Sequence, residues 1–196
     1  MLNAVATLAR KTFGASDLTK WSSPRSILDE WEPRTSMLVK WIPIGSRVIE
    51  FGAGKRKLKS MLDASCVYWA SDLVQHSEDT LVCDLNKRPL PNLSHLSPEI
   101  AVFSGVLEYI HDMRTLAKWL SEQVSHCLFS YNCVQRRGGG WRRIQTAYQR
   151  AHNGWVNSYT ESEISEIFCR AGFHCADRDF WESQRLFFFV SQRRKK

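Results

Sequence analysis

The 196-residue chain has no Cys-x-x-Cys pair among its six cysteines, and its histidines do not fall at metal-ligand spacings. These absences argue against a zinc site and against a disulfide framework, and they point to a reducing compartment, which we take to be the cytoplasm. No apolar run approaches the length of a membrane span; the longest is the short stretch around Phe187-Phe-Phe189. No internal repeat or low-complexity tract is present, which excludes a solenoid or a fibrous chain. Residues 1 to 16 contain no acid and have a weakly amphipathic pattern. They read as a leading helix rather than as an organelle presequence, followed by a break at Ser22-Ser-Pro24 and a second helix with Ile27, Leu28 and Trp31 on one side. With 43% hydrophobic and 24% charged residues, the chain can bury a core as one domain.

What is present centres on Val48-Ile-Glu-Phe-Gly-Ala-Gly-Lys-Arg-Lys-Leu58. Val48, Ile49 and Phe51 read as a buried parallel strand, and Leu58, Met61 and Leu62 then follow helical spacing. Gly52 and Gly54 allow a sharp turn with no Cβ between backbone and ligand. A dinucleotide fingerprint needs a third glycine three residues after the second, yet position 57 is Lys. Glu50 at the strand end would repel a pyrophosphate and suits a cationic ligand.

These residues resemble motif I of the class I S-adenosylmethionine-dependent methyltransferases, with Arg56 where that motif usually has its third glycine. The later strands extend the resemblance. Val67 to Asp72 reads as a second strand whose acid, about twenty residues on, can accept hydrogen bonds from ribose hydroxyls. Val82-Cys-Asp84-Leu85 reads as a third strand ending in an acid, and Ile100 to Ile110 resembles the fourth family strand and its turn, with Tyr109 in place of a histidine. Beyond these, Asp112 is placed to cap a helix with Met113, Leu116, Leu120 and Val124 on one stripe, and Cys127 to Tyr131 is the next strand. Thr160 and Glu163 form a capping box, Gly172 stops that helix, and Phe173–Phe180 and Leu186–Val190 close the sheet around a turn at Glu182-Ser-Gln.

Alternating strands and helices predict an α/β fold, a parallel sheet with helices on both faces. The resemblance, over roughly residues 36 to 192, adds a Rossmann-like seven-stranded sheet of order 3-2-1-4-5-7-6 with the last strand antiparallel. It implies a helical cap over residues 1–35 and a methyltransferase domain over 36–196. It also implies S-adenosylmethionine as cofactor, held by Glu50, Gly52, Ala53, Gly54, Asp72, Leu73, Asp84, Leu85, Ser104 and Gly105. On that resemblance Gly52 and Gly54 are expected under the methionine part, Asp72 on the ribose, Asp84 on the adenine amino group, and the next backbone amide on the ring.

The net charge of +7 raises the question of nucleic acid. Much of it lies in Lys55-Arg-Lys57, in Arg193 to Lys196, and in Arg136 to Arg150, where Trp141 and Tyr148 interleave with five arginines. No Asn-Pro-Pro-Tyr-like tetrapeptide follows the fourth strand, and Ser104-Gly-Val-Leu107 resembles the small-molecule branch instead. Residues 135 to 159 read as a mobile lid, whose arginines suit a phosphate- or carboxylate-bearing acceptor. The expected reaction is methyl transfer to O or N of a small-molecule or glycan-like acceptor. A base is needed only where the acceptor must lose a proton; His111, His152 and Tyr109 are the candidates, and Tyr109, Tyr131, Trp155 and Tyr159 are candidate walls of the acceptor pocket. Two other readings stand beside this one: a degenerate cofactor-binding domain working through a protein partner, and an RNA or protein methyltransferase.

Overall fold

A computed structural model describes residues 2–23, 26, 32–135 and 140–192. In chain order the elements are α1 (Leu2–Phe13), α2 (Leu18–Trp21), α3 (Glu32–Val39), β1 (Arg47–Phe51), α4 (Lys57–Met61), β2 (Val67–Asp72), β3 (Leu81–Val82) and β4 (Ile100–Phe103). There follow a 3-10 turn (Leu107–Tyr109), α5 (Met113–Gln123), β5 (His126–Tyr131), α6 (Gly140–His152), α7 (Glu161–Arg170), β6 (Phe173–Trp181) and β7 (Gln184–Ser191). The seven strands form one sheet of order β3-β2-β1-β4-β5-β7-β6. β7 runs antiparallel to both β5 and β6, and the other pairings are parallel. This is the expected topology.

Local chemistry explains the boundaries. The Asp112 carboxylate accepts the Thr115 amide at 3.0 Å and starts α5, whose Met113, Leu116 and Leu120 are fully buried. Thr160 and Glu163 exchange both capping-box hydrogen bonds at the start of α7. Val48 and Ile49, on opposite faces of β1, are both fully buried, as a central parallel strand covered by helices requires. One core cluster packs Phe129 among Phe168, Phe187 and Phe189; the other, on the opposite face, joins Leu38, Val48, Leu58, Val102 and Leu186. Among the described residues no helix is long and apolar enough to cross a membrane.

The boundary at residues 35/36 falls inside α3, where Arg34 and Thr35 line a cleft and Leu38 joins the core. The segment 135–159 contains a helix, α6, over 140–152. The helix with Ile27, Leu28 and Trp31 lies outside the described residues, as do Gly138, Gly139, the Arg142 side chain and Arg193 to Lys196.

Candidate functional site

The C-terminal ends of β1, β2 and β4, with the loop after β3, open into one cleft, where ligands of open parallel sheets bind. Its floor is the β1–α4 turn. Gly52 sits at φ +69°, and a Cβ there would overlap the Val106 side chain, so that position takes no side chain without a shift of Val106. Arg56, in place of the expected glycine, adopts the left-handed conformation that glycine favours, at φ 58°. Its guanidinium turns to Asp79, donating at 2.8 and 2.6 Å, and to Ser77 and Thr80, and it is not among the cleft-lining residues. The departure at position 56 therefore leaves the cradle open.

Glu50, on β1, is 3% exposed and accepts a hydrogen bond from the Tyr68 hydroxyl. Burial pushes its carboxyl up to about 8, the Tyr68 hydrogen bond opposes that rise, and the nearby Asp72 carboxylate adds to it. Asp72, ending β2, accepts the Gly54 amide at 2.8 Å and the Leu73 amide at 2.7 Å. It thus ties the glycine turn to the second strand. Each carboxylate oxygen carries two lone pairs, so Asp72 retains acceptor capacity toward a ligand in the cleft.

Asp84 lies in the turn beyond β3, because that strand ends at Val82. It accepts the Ser16 hydroxyl at 2.6 Å and the Asn86 amide at 3.0 Å. Asn86 in turn donates to the Tyr109 carbonyl and accepts the His111 amide, joining the loop after β3 to the turn after β4. Ala53, Leu73, Leu85, Ser104 and Gly105 also line the cleft. All ten residues expected on the cofactor are thus gathered in it.

The expected acid–base candidates separate. Tyr109 lines the cleft; its hydroxyl accepts from Trp155 Nε1 at 3.2 Å and Lys20 Nζ at 3.4 Å, and its ring meets Trp21 edge-on at 5.1 Å. Burial drives the Tyr109 phenol well above its ordinary range and lowers the Lys20 ammonium. His111 is outside the cleft lining, its Nε2 3.1 Å from the Ala15 carbonyl, because the chain turns outward after Ile110. His152, at the exposed end of α6, borders a separate groove between α6 and the β6–β7 hairpin. Tyr131 is fully buried, with its hydroxyl on Asn157, and Tyr159 packs against the core; neither walls the cleft.

The motif reading misses several cleft residues. Arg34 donates through Nε to the Ser104 hydroxyl and through Nη2 to the Ser104 carbonyl, both at 3.1 Å. A Cβ on Gly105 would stand 2.6 Å from Arg34 Nη1, so that glycine makes room for the guanidinium. Thr35 Oγ1 lies 3.0 Å from the Ser104 hydroxyl, and Ser16, Asp17 and Trp21 close the cleft from the N-terminal side. No motif marks these positions. The hint is that acid-free leading segment, whose helices were expected to cover the site.

Sheet order, glycine cradle and acid-ended strands together define the class I S-adenosylmethionine-dependent methyltransferase fold. A family model described as "Methyltransferase domain" matches residues 25–177, and the chain belongs to that family. No curated protein matches the sequence. Among solved structures the chain is similar to mitomycin 7-O-methyltransferase, at 11% identity and TM-score 0.64, covering 86% of this chain and 56% of that one. It is similar to human N-acetylserotonin methyltransferase in complex with S-adenosylmethionine, at 14% identity and TM-score 0.61, covering 88% and 55%. It is also similar to the Burkholderia thailandensis 1,6-didemethyltoxoflavin-N1-methyltransferase, with bound substrate and S-adenosylhomocysteine, at 15% identity and TM-score 0.62, covering 84% and 79%. The chain spans little more than half the length of the first two.

Proposed function

We propose that the chain transfers a methyl group from S-adenosylmethionine to an oxygen or nitrogen of a small-molecule or glycan-like acceptor that carries an anionic group. The observation that carries this reading is the single cleft in which a glycine cradle, the buried Glu50 and the acids Asp72 and Asp84 stand in strand order. The residues fit the cofactor: Gly52, Ala53 and Gly54 line the cleft where they would lie under the methionine part, and Glu50 would face its cationic end. Asp72 takes the ribose hydroxyls. Asp84 takes the adenine amino group, with the Leu85 amide on the ring, while Leu73, Ser104 and Gly105 complete the walls.

When bound, the sulfonium supplies an already activated methyl group, so the protein's task is alignment and exclusion of water. Trp21 and the segment Ala15–Asp17 shut one side of the cleft. Tyr109, kept protonated by burial and held by Lys20 and Trp155, offers a hydrogen bond to orient an acceptor. Arg34, 4% exposed and donating to Ser104 and to the Gln184 carboxamide, sets a positive charge at the cleft wall, and that charge supports the anionic part of the proposal.

The test is a panel of hydroxyl- and amine-bearing acceptors, each with and without a carboxylate or phosphate, followed by release of S-adenosylhomocysteine. We expect turnover of anionic members, and in Arg34→Met, its fold checked by circular dichroism, a half-saturation raised about tenfold or more for those members, because the positive charge at the cleft wall is lost. Turnover of neutral acceptors alone, unaffected by Arg34→Met, would remove the anionic group from the account.

A further inference from the structure

Lys20, in α2, is half-buried beside the cleft, in a setting unlike that of a surface lysine. Its Nζ lies over two rings, 4.7 Å from the centre of Trp21 and 5.1 Å from that of Tyr109. It donates to the Asn153 carbonyl at 2.9 Å and to the Tyr109 hydroxyl at 3.4 Å, and Trp155 Nε1 holds that hydroxyl from another direction. Among the described residues no carboxylate forms an ion pair with Lys20. Asp17 caps α2 by accepting the Lys20 amide, and its other oxygen pairs with Arg10 at 2.9 Å. Trp21, Tyr109 and Gly154 all line the cleft, and Gly154, at φ +85°, places no side chain beside Nζ, where a Cβ would stand 3.5 Å away. Burial lowers the Lys20 ammonium below its ordinary range; the Asp17 charge opposes this and the Arg10 charge adds to it.

We propose that Lys20 is a modification site: each chain methylates its own Lys20 Nζ when S-adenosylmethionine is in the cleft. The inference rests on the reading of the cleft as a methyl-transfer site. In that reading the Tyr109 hydroxyl orients the acceptor atom, and Nζ stands against the same hydroxyl. An attacking amine must be neutral, and withdrawal from water between Trp21 and Tyr109 makes the neutral form accessible. The ammonium first gives one proton to solvent. The Nζ lone pair then forms the bond to the methyl carbon while the carbon–sulfur bond breaks with its electron pair on sulfur. S-adenosylhomocysteine leaves neutral, and the methylated ammonium carries the positive charge. That product keeps two N–H groups, enough for both the Asn153 carbonyl and the Tyr109 hydroxyl, and the two rings attract a methylated cation as they do the parent one. A second methyl would break one of those hydrogen bonds, so the expected product is monomethyl-lysine.

The test is incubation of the full chain with S-adenosylmethionine and no other acceptor, followed by intact-mass measurement and peptide mapping. We expect one methyl group per chain, at Lys20, gained at a rate that does not change on dilution. Lys20→Arg should gain none while binding S-adenosylhomocysteine with wild-type affinity by calorimetry. Tyr109→Phe, its fold checked by circular dichroism, should slow the gain about tenfold or more, because Nζ loses the hydroxyl that positions it. In lysine side-chain NMR of the chain without donor, Lys20 should titrate at lower pH than the exposed lysines. Three results would overturn the proposal and leave the proposed function standing: no gain by a chain that binds S-adenosylhomocysteine, a methyl mapped elsewhere with Lys20 unmodified, or a gain that slows on dilution. Failure of the wild type to bind S-adenosylhomocysteine would overturn both.

Discussion

Glu50 is the residue on which electrostatics and binding meet. Its folded pKa of about 8 stands above the ordinary 4.5, so near pH 7 the buried carboxyl keeps its proton. A raised carboxyl pKa contributes stability that is fully present below 4.5 and lost as pH rises through about 8, because the unfolded chain ionises first. At roughly 1.4 kcal/mol per pKa unit the loss is at most about 5 kcal/mol. Urea unfolding across that window should show Glu50→Gln gaining stability over the wild type as pH rises; parallel pH profiles would remove Glu50 as the cause. A bound cation pulls the same carboxyl down again. Cofactor binding at pH 7 should therefore release a proton in the wild type and none in Glu50→Gln, read by calorimetry in buffers of different ionisation heat.

At the scale of elements, the connection from β5 to α7 is held where the sequence suggested looseness. Arg150, in the last turn of α6, is 4% exposed and donates to the Asn132 carbonyl at 2.8 Å and to the Asn157 carbonyl at 3.2 and 3.1 Å. Its guanidinium also stacks over the Trp155 ring at 4.7 Å. Asn157 donates to the Leu107 and Ile110 carbonyls, fixing the connection to the turn that carries Tyr109. Arg150→Met should cost about 2–3 kcal/mol in denaturant unfolding, since two buried carbonyls lose a charged donor. A loss below about 0.5 kcal/mol, the scale of an ordinary surface change, would contradict the anchor.

The sheet was legible element by element because its marks are local properties: the strand ending in an acid at Val67–Asp72, the cap at Asp112, the capping box at Thr160. Arg150 was not. An arginine in an arginine-rich stretch reads as solvated, and only the fold brings the Asn132 and Asn157 carbonyls to it. The same holds for the cleft. Residues on strand ends could be placed by register, whereas Arg34, Lys20 and Trp21 reach the site from N-terminal helices that share no register with the sheet. His111 went the other way: it stands next to strand-end residues in sequence, yet its ring turns to the Ala15 carbonyl.

For the whole molecule, the sheet and the N-terminal helices act as one binding unit. The Ser16 hydroxyl meets Asp84, Arg34 braces Ser104, and Asp72 ties β2 to the turn after β1, so the cleft is closed by parts distant in the chain. The central claim is that this cleft holds S-adenosylmethionine. Calorimetric titration of S-adenosylhomocysteine into the wild type and Asp72→Ala tests it most directly, with circular dichroism confirming the fold of both. The account predicts one molecule bound per chain, with affinity weakened by about 1–3 kcal/mol in Asp72→Ala, which removes the proposed ribose acceptor and frees the Gly54 amide. No binding by the wild type, or equal affinity in the folded variant, would contradict it.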